Sequence, residues 1–246
     1  GVRPPKRVVY KDERSSTMSH KGFTPQHRAI GRAAAWAVFF LGMVYVVTTV
    51  LGFLSLKSPQ DPIGDPFVSI MELLIIPLTL LYVVSMVAVH AYAPAEVKVY
   101  SLTALCLMIL LAGISSSVHF VVLTVSRQIE ATGLTWAPLF FSWKWPSVVY
   151  TLDILAWDWF FALSMLFAAP VFKGGRLEIT VRVFLIVSGV LSLVGLIGVP
   201  LADMQVRNIG IIGYAVVAPV GFLLLAIVFG RTPHMPGAPD LAREQE

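Results

Sequence analysis

The chain has 246 residues, 57% of them hydrophobic and 13% charged, with a formal net charge of +4. That balance excludes an ordinary soluble domain, because apolar runs recur at the roughly twenty-residue length that crosses a bilayer core. The basic excess sits mainly in the tails and forms no nucleic-acid face, and the single cysteine, Cys106, excludes an intrachain disulfide and a cysteine-built metal site.

Residues 1–32 are polar and basic, with Arg3, Lys6, Arg7, Lys11, Arg14, Lys21, Arg28 and Arg32 against Asp12 and Glu13. With Pro4, Pro5 and a Ser15-Ser16-Thr17 run, this reads as a mostly unfolded arm on the cytoplasmic side, able to meet anionic headgroups. No short apolar core with a small-residue cleavage site precedes the first apolar run, so no signal peptide is expected.

Six apolar segments follow, at about residues 33–56, 67–90, 100–123, 148–172, 179–199 and 209–229. Each is too long for a barrel strand, and a backbone in lipid must satisfy its own hydrogen bonds, so all are predicted helices. The fold class is therefore all-α, a polytopic membrane protein whose bundle occupies residues 33–230. Residues 231–246, with Pro233, Pro236 and Pro239, read as a disordered cytoplasmic tail.

An even number of spans puts both termini on one side. With that side cytoplasmic, only Lys57, Arg127, Lys144 and Arg207 of the 18 Lys and Arg fall outside. The expected orientation is N-in, C-in, across a cytoplasmic membrane.

The loop at 131–146, ATGLTWAPLFFSWKWP, gathers Trp136, Phe140, Phe141, Trp143 and Trp145 around two prolines. It reads as an interfacial segment on the outer face that could lid the bundle, its rings an aromatic belt, with a ligand-stacking role as the alternative. Small residues at Gly113 and Ser117, Ser188 and Ser192, and Gly210, Gly213 and Ala218 are predicted to bring helix backbones close. Pro77 and Pro219 lie inside spans and free carbonyls one turn earlier.

Ionisable groups at membrane depth are costly and mark the place to look for function. Glu72 and Asp153 lie roughly 7–8 Å below the outer edge and His119 roughly 6 Å, so three helices contribute to one layer. Ser115 and Ser116 share the face of His119, and Asp153 shares one with Tyr150 and Trp157. Asp158, roughly 15 Å deep, should point about 140° away from Asp153 on a regular helix, which argues against a two-carboxylate site on this span. With no lysine or arginine read at its depth, Asp158 is expected to be protonated, with the Ser115 and Ser188 hydroxyls as its companions.

The candidate site residues are thus Glu72, Ser115, His119, Asp153, Trp157 and Asp158, with no catalytic residue and no metal site assigned. The cofactor, if one is bound, is unknown from the sequence. The first reading of these groups is that they tie helices together, with an outward-facing binding or proton-linked site second and a metal site third.

The segments VHAYAPAEVKVYSLTAL, HFVVLTVSR, DILAWDWFFALSMLFAAPVFKGGRLE and VRVFLIVSGVLSLVG resemble a group of six-helix bacterial membrane proteins. The likeness covers most of residues 33–231 and implies the six-helix layout and a bacterial source, with no activity attached. The leading expectation is a non-enzymatic accessory or scaffold subunit, in contact with lipid and with other membrane subunits. The alternative is a small-solute or proton-linked binder or transporter with an outward-facing polar site; an intramembrane hydrolase comes third.

Overall fold

The computed structural model describes residues 22–58, 63–130 and 132–232. Among the described residues, six helices are long and apolar enough to span a bilayer: α1 Pro25–Leu54, α2 Phe67–Tyr92, α3 Ala95–Ile129, α4 Val148–Val171, α5 Arg176–Gly198 and α6 Met204–Arg231. The protein is an all-helical, multi-pass membrane protein. The expected arm up to residue 21 and the tail from residue 233 lie outside the described residues.

Local chemistry sets the helix starts. Thr24 caps α1, its hydroxyl accepting from the His27 amide at 3.2 Å, and Pro25 takes the first helical position, where its missing N–H costs nothing. The helix therefore takes in residues 25–32, which the sequence reading gave to the arm. Ser147 caps α4 through the Tyr150 amide at 3.2 Å. Asp203 caps α6 through the amides of Gln205 and Val206, at 2.9 and 3.3 Å. That cap starts α6 at Met204, five residues before the predicted edge at 209.

Each helix packs against its neighbours in sequence, and α6 closes back onto α1. The core is aromatic: Tyr82 of α2, Phe161 of α4 and Phe222 of α6 are buried and meet edge to face, with ring centroids 4.7 to 5.6 Å from Tyr82. At the end carrying the termini, Phe23, Tyr92, Phe172 and Phe229 form a second set of ring contacts. Lipid tails are as apolar as these side chains, so close packing and interhelical hydrogen bonds hold such helices together. Ser164 Oγ donates to the Ala104 carbonyl at 2.7 Å, and Ser188 Oγ to the Gly213 carbonyl at 2.9 Å. Side chains such as Phe40, Val47, Phe53 and Leu54 of α1 face outward.

Not every small residue serves packing. A Cβ at Gly213 would press on the Ser188 carbonyl and Ser192, as expected, whereas one at Gly113 would meet nothing within 4 Å. Gly113 and Ser117 lie on the exposed face of α3, with the Ser117 hydroxyl bonded to the Gly113 carbonyl at 2.8 Å. Spacing alone marks small pairs and does not say which side of a helix has a neighbour.

Three stretches leave the regular α-helical ladder for the wider π form: Val122–Ser126 in α3, Leu155–Phe161 in α4 and Ile212–Val217 in α6. All three adjoin the polar residues described next. Pro219 follows the third directly, where its missing N–H already loosens the ladder.

Candidate functional site

Glu72, His119 and Asp153 come together from α2, α3 and α4. His119 Nδ1 lies 2.5 Å from Glu72 Oε2, and His119 Nε2 lies 3.4 Å from Asp153 Oδ1. The two carboxylates thus bracket the imidazole from opposite edges. Glu72 and His119 are buried at 3% and 6% exposure. Such depth makes unpaired charge prohibitive and explains why they meet.

The fourth member was misread from sequence. Arg207, assigned above to the outer surface, is buried at 3% exposure. Its Nη2 lies 3.3 Å from Asp158 Oδ2 and 3.9 Å from Asp153 Oδ2, and its guanidinium carbon sits 5.2 Å from the centre of the Tyr150 ring. Asp158 therefore does have a cation at its depth, contrary to the expectation that it lacked one. The missed signal was the Asp203 cap: an aspartate before Met204-Gln205-Val206 starts the helix early and carries Arg207 into the bundle.

The angle argument for the two aspartates also fails, for a local reason. Asp158 sits within the π stretch Leu155–Phe161, whose i→i+5 ladder holds more residues per turn than 3.6. Residues five apart then turn toward a common face, and Asp153 and Asp158 both reach the same guanidinium. Gly210 makes room on the partner helix, since a Cβ there would collide with Asp158 Oδ1. Neither serine accompanies Asp158. Ser115 Oγ accepts from Trp157 Nε1 at 3.1 Å, and Ser188 bonds to the Gly213 carbonyl.

The aromatic loop is more than a belt. After the short helix Ala137–Phe141, Trp143 Nε1 donates to Glu72 Oε1 at 2.8 Å, and the indole lies 5.3 Å from the His119 ring. Both Glu72 oxygens thus face donors. No local sequence signal distinguished Trp143 from Trp136 or Trp145, because its target lies 71 positions away in the chain.

A cavity of about 100 Å³ opens beside this cluster. Tyr45, Tyr82, Trp157 and Tyr214 supply its rings, and His119, Asp153 and Arg207 its ionisable groups. Several buried polar atoms around it lack a hydrogen bond: His119 Nε2, Asp153 Oδ1, both Asp158 carboxylate oxygens, and Arg207 Nε and Nη2. Of these, His119 Nε2 with Asp153 Oδ1 and Arg207 Nη2 with Asp158 Oδ2 stand at ion-pair distances without the alignment a hydrogen bond needs. Toward the terminal end, Tyr82, Phe161 and Phe222 close the bundle with ring contacts.

Comparison of the chain with known families, curated proteins and solved structures gave no match. The likeness to six-helix bacterial membrane proteins rests on its quoted segments alone.

Proposed function

We propose that this multi-pass membrane protein is a proton-linked binder of a small polar solute, acting through Glu72, His119, Asp153, Asp158 and Arg207. The observation that carries this reading is the set of buried charged atoms without hydrogen bonds around a cavity. A network that only ties helices gains by satisfying every polar atom, since each orphan costs about 1–3 kcal/mol. Three carboxylates also face only one arginine and one imidazole, so neutrality requires a proton or another cation. Among these side chains imidazole is the one whose ordinary titration falls near neutral pH. The groups facing it are Glu72 and Trp143 on one side and Asp153 on the other, with Arg207 beyond.

The accessory-subunit reading gains no support of its own, because outward apolar side chains on α1 are also what lipid requires. We place both termini in the cytoplasm on the Lys/Arg asymmetry, which puts the cavity toward the outer face, and take the cell as bacterial on the likeness of the quoted segments. In a background with Cys106 replaced, cysteines at Gly64 and Thr135 should react with an impermeant thiol reagent on spheroplasts. Labelling at Gly174 instead would reverse the orientation.

The function is tested by counting protons. Protein in lipid nanodiscs, titrated with indicator dyes between about pH 10.5 and pH 5, should take up roughly one proton more than its His119→Gln variant. Equal uptake by the two refutes the proton-linked reading.

A further inference from the structure

We infer that the cavity is a binding site for a small ammonium cation, either ammonium itself or a relative carrying up to three methyl groups. This rests on the reading of the cavity as a binding site and names the class of its occupant. The argument begins with the walls. Tyr45 of α1, Tyr82 of α2, Trp157 of α4 and Tyr214 of α6 all line the one space, so four helices each contribute an aromatic ring. Trp157 lies 5.0 Å from Tyr214 and 6.1 Å from Tyr82, centroid to centroid. Aromatic faces carry negative charge density, and several of them around a compact volume is the arrangement that holds ammonium groups.

Charge gives the same sign. Asp153 reaches the cavity wall, with Asp158 and Glu72 just behind it. Arg207 also reaches the wall, but its charge is engaged by Asp158 at 3.3 Å and Asp153 at 3.9 Å, and its guanidinium lies against Tyr150. With all three carboxylates ionised, the five groups carry one net negative charge when His119 is protonated and two when it is neutral. An anion would add to that excess, whereas a monovalent cation offsets it. Among the buried atoms lacking hydrogen bonds, Asp153 Oδ1 belongs to a residue of this wall and is an acceptor that an N–H of the cation can meet.

Size sets the limit. An apolar cavity of about 150 Å³ holds benzene, with six heavy atoms, so by proportion about 100 Å³ holds roughly four. Trimethylammonium has that number. Larger quaternary ions such as choline exceed it. A bare sodium ion would have to give up its water for aromatic rings and one carboxylate, which suit a methylated ammonium, less strongly hydrated than sodium, better.

The test is calorimetric titration of the intact protein in nanodiscs with trimethylammonium chloride, against acetone as a neutral molecule of four heavy atoms. The cation is expected to bind at least tenfold more tightly than acetone. Asp153→Asn should weaken the cation tenfold or more, and Tyr214→Leu should do likewise, while Tyr214→Phe, which keeps the ring, should stay within threefold of wild type. A cation that binds no better than acetone overturns the assignment, and that comparison needs no variant to fold. Cation binding unchanged by both Asp153→Asn and Tyr214→Leu overturns it as well, because the ion then sits elsewhere. Neither result touches the proton count of His119→Gln, so the ammonium site and the proton-linked reading fail separately.

Discussion

At the loop end of the bundle, five ionisable side chains from four helices meet beside a cavity; at the end carrying the termini, Phe23, Tyr92, Phe172 and Phe229 pack ring on ring. The two ends spend their sequence differently. Three π stretches adjoin the charged cluster, while at the terminal end α1, α2 and α6 run in regular α turns and the departures are short 3₁₀ turns at Ala95–Val97 and Ala169–Val171. Buried charges need particular directions in space, and a π turn re-aims a side chain at the expense of ladder geometry. Packed rings need only volume. The contrast teaches that the irregular half is held in place by the regular half, a pattern expected where local geometry serves a site.

The sharpest way to break this contrast is to remove the central cation. Arg207→Met leaves Asp153 and Asp158 facing each other without their shared partner. Loss of one member of a buried ion pair costs about 3–5 kcal/mol, and that much destabilisation is expected in unfolding by denaturing detergent from mixed micelles. Arg207→Met with Asp158→Leu should recover most of the loss, since a packed apolar pair replaces a charged one with little penalty. If Arg207→Met alone unfolds like wild type, the cluster contributes no electrostatic structure and the two ends do not differ as described.

A pair of glycines gives the next largest effect. Gly210→Ala drives a methyl group into Asp158 Oδ1 and should cost about 1–3 kcal/mol in the same assay. Gly113→Ala meets nothing within 4 Å and should be neutral or stabilising, by up to about 1 kcal/mol of helix propensity. Equal outcomes at the two positions would mean that Asp158 is free to move away.

How much of this was legible in the sequence follows from which forces act at short range. Hydropathy and length give six helices because lipid imposes a rule on every residue of a span. Equal depth gave the meeting of Glu72, His119 and Asp153, because charges at one level of a narrow bundle have few other partners. Arg207 was missed because the sixth apolar run was started at Ile209, though the Asp203 cap was there to be read. The companionship of Asp153 and Asp158 was hidden for a different reason. A π stretch arises from tertiary demands on α4, and nothing in Leu155–Phe161 breaks the 3.6-residue pattern visibly. Trp143 reached Glu72 through folding of the whole loop, which no local spacing encodes.

On the apolar side, Phe222→Leu sharpens the comparison by its smallness. Phe222 is fully buried against Tyr82, with ring centroids 4.7 Å apart. A shift to a smaller apolar side chain should cost under about 1.5 kcal/mol, because neighbours can close on much of the space. The loss should be the same at pH 5 and pH 8, since the change removes no titrating group. A strongly pH-dependent loss would show that the aromatic core and the charged cluster act as one unit.

The smallest effect belongs to an ion pair at the loop end that stays in solvent. Arg127 Nη2 lies 2.8 Å from Asp65 Oδ1, and both Asp65 and Arg127 bond to the Ser69 hydroxyl. Side-chain exposure is 42% for Arg127 and 58% for Asp65, against 4% and 0% for Arg207 and Asp158. The same charge chemistry is thus present with and without burial. The Ser69 hydroxyl, and after it the Arg127 guanidinium, hold the Asp65 carboxyl below its ordinary range against a smaller opposing effect of burial. A carboxyl whose folded value is depressed adds stability that is fully present above its unfolded value, about 3.9, and is lost as pH falls through the folded one. Screening by water limits the pair to roughly 0–1 kcal/mol. Asp65→Asn should therefore cost at most about that much at pH 7, and the deficit relative to wild type should shrink below about pH 4 as the native carboxyl takes up its proton. A loss at Asp65→Asn as large as that at Arg207→Met, or one that persists unchanged in acid, would show that burial is not what separates these two ion pairs.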